Sequence, residues 1–291
     1  MQSILKALHP NIKGSLWMLG MVVSLCLLAV AARELSSRHG PFEIQIMRHS
    51  LSLIFLIPFI LKYRNIRTIK FPLQLLRNTS HFCATSGWVI AITLIPLSEV
   101  FAIEFTTPIW VAVLAVLFLG EKISFPKIVS LLFGIIGIII ILRPGFNVVG
   151  VGTLIMIFSA IGFAITNTTT KALTRHDSLI SVLFWMSAIQ LPLSLIASLF
   201  KINMILLEDI PWVLLIGLCG ILSHYSLTKA MQLAEASLVN PVDFLRLPLI
   251  SILGFYIYQE SIDIFVIIGA LIIFLGNYYA IWNESKRNKL N

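Results

Sequence analysis

Ten apolar runs, most of them near 20 residues long, divide almost the whole chain, and they limit what it can fold into. A bilayer core of about 30 Å takes about 20 apolar residues per helix, and a helix satisfies its backbone hydrogen bonds without water. We therefore predict an all-α integral membrane protein with ten transmembrane helices. The runs lie at residues 15–32, 43–61, 75–96, 98–119, 126–142, 150–171, 179–200, 211–230, 237–259 and 263–283.

The charged residues are few and lie mainly between these runs. They make up 12% of the chain, against about 25% in soluble domains. The net charge is +8, but Lys and Arg occupy short connections, which indicates membrane orientation rather than nucleic-acid binding. One side of the predicted bundle holds fifteen of them and the other four. This excess predicts that both termini are cytoplasmic, with membrane lipids around the bundle and no nucleic acid as a partner.

Two of the runs are similar to each other at an offset of 139 residues. The segment 98–121 is SEVFAIEFTTPIWVAVLAVLFLGE, and the segment 237–260 is SLVNPVDFLRLPLISILGFYIYQE. Both spans carry a carboxylate at the same position and end in Glu. The aligned pairs are Ser98 with Ser237, Val100 with Val239, Glu104 with Asp243, Phe105 with Phe244 and Glu121 with Glu260.

Further matches at offsets of 138 or 139 extend this repeat along most of the chain. Each half contains five spans. Because five is odd, the second half enters the membrane from the opposite side. We therefore predict two inverted repeats, residues 1–145 and 146–291, an arrangement typical of secondary transporters.

Four charged side chains lie inside the spans: Arg48, Glu104, Asp243 and Arg246. Charges at membrane depth are costly and often mark function. Asp243 and Arg246 are spaced to pair on one helix face, which leaves Arg48 and Glu104 to pair across helices. Two positive and two negative groups suit a zwitterionic ligand. The alternative is two structural ion pairs, and Glu104 could also carry a proton.

Three prolines, Pro108, Pro241 and Pro248, lie in the two similar spans. Proline removes a backbone donor and breaks or kinks a helix. In transporters such breaks expose backbone groups to the binding cavity. The alternative is that these prolines only shape helix packing.

Other polar and aromatic side chains inside the spans are candidate ligand contacts. Trp88 and Tyr225 offer rings that can stack on a flat ligand, and Asn167 lies in a polar stretch of the sixth span. The alternative is ordinary packing. His81 and His224 are expected to be buried histidines, and no catalytic, metal or cofactor motif is predicted.

Glycines recur in the fifth and tenth spans, at residues 134, 137, 269 and 276. Small residues let helices approach closely in membranes. They predict tight helix packing, either within the chain or at a homodimer contact.

Several of these motifs resemble those of a known family. They are the Glu at the end of the fourth and ninth spans, the run PVDFLRLP at 241–248, and Phe42-Glu43 followed by Arg48 and Pro58. Together they are similar to the ten-helix EamA branch of the drug/metabolite transporter superfamily. The resemblance covers nearly the whole chain and is nearest to the group that contains S-adenosylmethionine and riboflavin carriers.

The resemblance implies a multi-pass protein of the bacterial inner membrane, with a central cavity lined by spans 1, 3, 4, 6, 8 and 9. The expected function is alternating-access transport of a small polar or zwitterionic, amino-acid-related metabolite. The expected substrate contacts are Arg48, Trp88, Glu104, Asn167, Tyr225, Asp243 and Arg246. A carrier of riboflavin or another flat-ring metabolite is the alternative. A membrane-embedded enzyme and a lipid flippase are the alternatives from other classes.

Overall fold

The computed structural model describes residues 9–63, 66–94, 103–142, 150–199, 202–259 and 264–290. Within these ranges the chain forms ten helices of eight residues or more and no β-strand. The fold is all-α, as the apolar runs predict. The helices are α1 Pro10–Leu35, α2 Pro41–Tyr63, α3 Phe71–Leu94, α4 Thr107–Leu114, α5 Phe125–Leu142, α6 Val151–Leu173, α7 Leu179–Ala197, α8 Ile210–Leu233, α9 Arg246–Tyr258 and α10 Ile264–Leu290.

The outer surface of the bundle suits a lipid environment. Five helical segments in the described ranges are long and apolar enough to cross a membrane, and three shorter apolar helices accompany them. Large apolar side chains point outwards, including Leu117, Phe118 and Tyr256, which are 69–74% exposed. A soluble protein rarely exposes contiguous apolar surface of this kind. The chain is therefore a multi-pass membrane protein.

The fourth and ninth spans are interrupted helices. α4 covers only eight residues and continues into a π-helical turn, Ala115–Leu119. The ninth span begins with one helical turn, Ala236–Val239, and a 3-10 segment, Asn240–Leu245, before α9 starts. Pro108 and Pro248 lie in the first turns of α4 and α9, and Pro241 lies in the 3-10 segment. The predicted breaks are therefore confirmed, because each proline sits where a regular helix stops or restarts.

Helix contacts follow a two-fold pattern between the halves of the chain. α1 packs on α8, and their counterparts α6 and α3 pack on each other in the same way. α4 packs on α6, as α9 packs on α1, while α2 packs on α7 and α5 on α10. Such an exchange of equivalent pairs is expected of two structurally similar repeats. The predicted boundary between them, at residues 145 and 146, lies outside the described residues.

The glycines of the fifth and tenth spans serve contacts inside the chain. Gly137 lies against Ile273, and Gly276 lies against Phe133, so that α5 and α10 approach closely. Gly134 faces Phe244 of the interrupted ninth span. A Cβ added at Gly134 would lie 1.8 Å from Cε2 of Phe244.

Two buried aspartates accept hydrogen bonds at equivalent positions of the two repeats, at opposite ends of the helices. Asp209, just before α8, accepts a hydrogen bond of 3.2 Å from Nε2 of His39 in the α1–α2 turn. Asp177, in the α6–α7 turn, accepts bonds of 3.1 Å from the Ile69 backbone N–H and 2.9 Å from Nε2 of Gln74, around the start of α3. The two halves are thus joined at both ends by buried carboxylates.

Candidate functional site

An ion-pair network lies where the two interrupted spans meet. Arg246, the first residue of α9, donates from Nη2 to Oε1 of Glu104 at 2.6 Å and to Oδ2 of Asp243 at 3.2 Å. Glu104 lies three residues before α4 begins, and Asp243 lies in the 3-10 segment. The side chains of Arg246, Glu104 and Asp243 are 20%, 9% and 18% exposed. Hydrogen bonds between charged groups are stronger than neutral ones, so this network links the two repeats at their breaks.

Aromatic side chains surround the same charges. Trp88 of α3 donates from Nε1 to Oε2 of Glu104 at 2.7 Å, so both oxygens of this carboxylate are bound. The Arg246 guanidinium lies over the Phe105 ring, 5.0 Å from its centroid. Such a contact is a cation–π interaction. We call Trp88, Glu104, Asp243 and Arg246 the ion-pair site.

Two polar atoms of the ion-pair site are not used by the protein. Among the described residues, neither Oδ1 of Asp243 nor Nε of Arg246 has a hydrogen-bond partner, although both atoms are buried. Buried polar groups normally have partners. One acceptor and one donor are therefore left for a ligand at this site.

Two further predicted contacts, Asn167 and Tyr225, lie on α6 and α8. Asn167 of α6 donates from Nδ2 to Oδ1 of Asn240 at 2.7 Å, which ties α6 to the 3-10 segment that holds Asp243. Tyr225 of α8 is half-buried, and its ring meets the ring of Trp17 edge-on at 5.5 Å. Among the described residues, the hydrogen-bond partners of the three charges do not include Asn167 or Tyr225.

The predicted pair between Arg48 and Glu104 is wrong. Nη2 of Arg48 lies 3.1 Å from Nε2 of His224, while Glu104 is held by Arg246. The reason is the break before α4, which brings Glu104 to the interrupted ninth span. Arg48 crosses α8 at Gly220, where an added Cβ would lie 2.8 Å from its Cγ.

Arg48 belongs to a second buried group, which we call the arginine–histidine cluster: Arg48, His49, Arg77, His81 and His224. The rings of His81 and His224 meet edge-on with centroids 5.1 Å apart. Nδ1 of His81 lies 2.9 Å from Oε1 of Gln190 on α7. The cluster therefore joins α2, α3, α7 and α8.

Arg77 is one of the fifteen basic residues counted on one side of the predicted bundle, and the structure places it inside α3. Its side chain is fully buried and donates from Nε to Oγ1 of Thr170 at 2.7 Å and from Nη1 to Oδ1 of Asn78 at 2.8 Å. The signal that would have found it is a polar stripe on α3. Residues three or four apart share a helix face, and the stripe consists of Gln74, Arg77, Asn78, His81, Thr85 and Trp88.

No group of three His, Cys, Asp or Glu side chains in the described ranges could hold a metal ion. The functional groups at the described site are ion pairs, aromatic rings and amides. Such groups bind and orient a charged ligand.

Known proteins share both the sequence and the fold of this chain. A crystal structure superposes with a TM-score of 0.79 at 15% identity, over 92% of this chain and 96% of that one, which shows the fold. The S-adenosylmethionine uptake transporter of Rickettsia conorii is 28% identical over 283 residues, or 96% of each chain. The riboflavin transporter of Brucella anthropi is 28% identical over 246 residues, 82% of this chain and 87% of that protein.

A family match covers both halves of the chain. The EamA-like transporter family matches twice, at residues 12–143 and 150–282. The two matches agree with the two-fold helix packing and with the interrupted fourth and ninth spans. The chain therefore belongs to the EamA-like transporter family and is built from two copies of its repeat.

Proposed function

We propose that this protein is a secondary transporter that carries a small polar or zwitterionic metabolite related to amino acids, of the S-adenosylmethionine class, across the bacterial inner membrane. The observation that carries the proposal is the ion-pair site. It joins the two repeats at their helix breaks and has unused polar atoms. The relative from Rickettsia conorii, which is named for S-adenosylmethionine uptake, supports the substrate class.

The charges of the ion-pair site favour a ligand with a cationic group. Two carboxylates, Glu104 and Asp243, face one guanidinium, Arg246, so the formal sum is one negative charge. An ammonium or sulfonium group would offset it, with Oδ1 of Asp243 available to it. Trp88 supplies a ring face beside the charges, Asn167 binds the segment that holds Asp243, and Tyr225 is a further proposed contact.

The same charges suggest how binding is coupled to movement of the repeats. The bond between Glu104 and Arg246 connects the two halves, so a ligand that takes over either partner weakens that connection. A ligand shifts a conformational equilibrium by its difference in affinity for the two states. Competition between the ligand and this bond thus provides a route to alternating access.

A carrier for riboflavin or another flat-ring metabolite is the second candidate. The observations in its favour are the Trp88 ring in the ion-pair site and the edge-on ring pair of Trp17 and Tyr225. The relative from Brucella anthropi is named a riboflavin transporter. Under this alternative the ring faces, rather than the charges, dominate binding.

We also propose that the protein acts as a carrier, rather than as an enzyme or a lipid flippase, with residues 1–145 and 146–291 as its repeats. Both termini lie in the cytoplasm, since Lys and Arg are concentrated on that side. Reporter fusions at each terminus test the orientation, and light scattering of the purified protein decides between a monomer and a homodimer.

The test is uptake of radiolabelled S-adenosylmethionine into proteoliposomes that contain the purified full chain. Glu104→Gln and Asp243→Asn should each lower uptake at least tenfold, because a bond to a charged group contributes about 1.5–3 kcal/mol and 1.4 kcal/mol is tenfold. Glu208→Gln, which changes a surface carboxylate 76% exposed, should leave uptake unchanged. If the proteoliposomes take up riboflavin but not S-adenosylmethionine, the second candidate is favoured. Full transport by both Asp243→Asn and Arg246→Gln would remove the ion-pair site from the mechanism.

A further inference from the structure

The arginine–histidine cluster carries positive charge that the protein does not neutralise. Arg48 is 8% exposed and Arg77 is fully buried. In the described ranges neither guanidinium forms an ion pair with a carboxylate, and their partners are neutral: His224 for Arg48, and Thr170 and Asn78 for Arg77. A buried charge normally has a partner of opposite sign. An anionic group is therefore the complementary ligand of this cluster.

The two arginines differ in what they have left to offer. Arg77 uses all three nitrogens, since its Nη2 also lies 4.0 Å from the Met186 sulfur, and it thereby ties α3 to α6 and α7. Arg48 has one bond, from Nη2, and its Nε has no partner among the described residues. Next to it, Nδ1 of His224 is likewise buried and has no hydrogen-bond partner in the described ranges. The unused hydrogen-bonding capacity is thus concentrated at Arg48.

The cluster and the ion-pair site lie on the same face of α3. His81 belongs to the cluster and Trp88 to the ion-pair site, and seven residues are almost two full turns of helix. At 1.5 Å per residue the two positions are separated by about 10 Å along the helix axis. One site has a formal negative charge and the other has two positive charges. Opposite charges are therefore presented along one line.

We propose that the arginine–histidine cluster binds the carboxylate of the transported molecule through Arg48, while the ion-pair site holds its cationic group. This rests on the proposed function and narrows its substrate class. The preferred substrate is elongated, with its opposite charges on different parts of the molecule. A simple α-amino acid carries both charges on one carbon and cannot reach both sites.

The test compares three probes on the purified full chain in lipid nanodiscs: S-adenosylmethionine, its decarboxylated analogue, and S-adenosylhomocysteine, in which the sulfonium is a neutral thioether. Isothermal titration gives the Kd of each probe. The wild type should bind S-adenosylmethionine at least tenfold more tightly than either analogue. Arg48→Gln should bring the ratio for the decarboxylated analogue to about one, and Asp243→Asn should do the same for S-adenosylhomocysteine, since 1.4 kcal/mol is tenfold.

Arg175→Gln is the control, because it removes an exposed arginine that lies outside both sites and donates from Nη2 to the carbonyl oxygen of Leu119. It should keep the tenfold preference for the carboxylate. A ratio of two Kd values measured on one variant does not depend on how much of that variant is folded. Arg48→Lys, which keeps the positive charge, should retain part of the preference for the carboxylate.

Each remaining outcome decides against the proposal in a different way. If Arg48→Gln keeps the wild-type ratio, or if Arg175→Gln loses it as well, Arg48 is not the carboxylate contact, while the proposed function stands. If the wild type binds all three probes equally, the selection by separated charges is absent. If it binds none of them, the proposed substrate class and this inference both fail.

Discussion

Glu104 and Arg246 lie 142 residues apart in the chain, and their Oε1 and Nη2 atoms are 2.6 Å apart in the structure. Each belongs to an interrupted span, one in each repeat. Asp243, the counterpart of Glu104 in the second repeat, bonds to the same Nη2 at 3.2 Å. Among the described residues, Arg246 is the one cation that these two equivalent carboxylates share, and this asymmetry determines the effect of removing each partner.

Arg246→Gln should destabilise the protein by about 3–5 kcal/mol, because it leaves two buried carboxylates facing each other without a cation. Addition of Glu104→Gln and Asp243→Asn to this variant should recover most of the loss, since the triple variant has no buried charge at the site. Thermal unfolding in detergent measures both effects. Equal melting temperatures for Arg246→Gln and the wild type would contradict the shared-cation interpretation.

Trp88→Phe should lower both stability and transport while an aromatic ring remains in place. The change removes the N–H that donates to Oε2 of Glu104, and loss of a bond to a charged group costs about 1.5–3 kcal/mol. The matched control is Trp110→Phe, which removes a 3.2 Å bond from an exposed tryptophan to Thr106. If the two variants have the same uptake rate and the same melting temperature, the bond to Glu104 has no special role.

Gly134→Ala should destabilise the bundle by about 1–3 kcal/mol, as overpacking does in a filled core. The new methyl group would overlap the ring of Phe244, which is fully buried next to Asp243. Gly150→Ala is the control, because nothing lies within 4 Å of the added Cβ. Melting temperatures measure the effect, and a Gly134→Ala variant as stable as the wild type would contradict the steric overlap.

Lys171→Met should weaken the connection between α6 and the end of α8. Nζ of Lys171 donates to the carbonyl oxygens of Met231 at 2.5 Å and Ala234 at 2.6 Å. Without it these acceptors lose a charged partner, and a buried group left unsatisfied costs about 1–3 kcal/mol. Lys122→Met, at an exposed lysine, should have little effect. A melting temperature unchanged from that of the wild type would mean that water replaces the lysine.

The spans, the repeat and the helix breaks follow from local patterns in the chain. Run length and hydropathy mark membrane helices because lipid imposes the same requirement on every segment that crosses it. Proline marks a break because the missing N–H acts within one turn. The shared offset pairs Glu104 with Asp243 before any contact is known. These features depend only on neighbouring residues or on comparison of one half with the other.

The partners of the buried charges depended on the tertiary structure. Arg246 binds Glu104 of the other repeat in addition to its neighbour Asp243. Arg48 lies against His224, and Arg77 is enclosed by α3, α6 and α7. Spacing along a helix predicts pairs within that helix but not which helices lie side by side. The sequence therefore identified four of the five charges of the two sites, all but Arg77, and the packing of the two repeats decided that they form two separate sites of opposite charge.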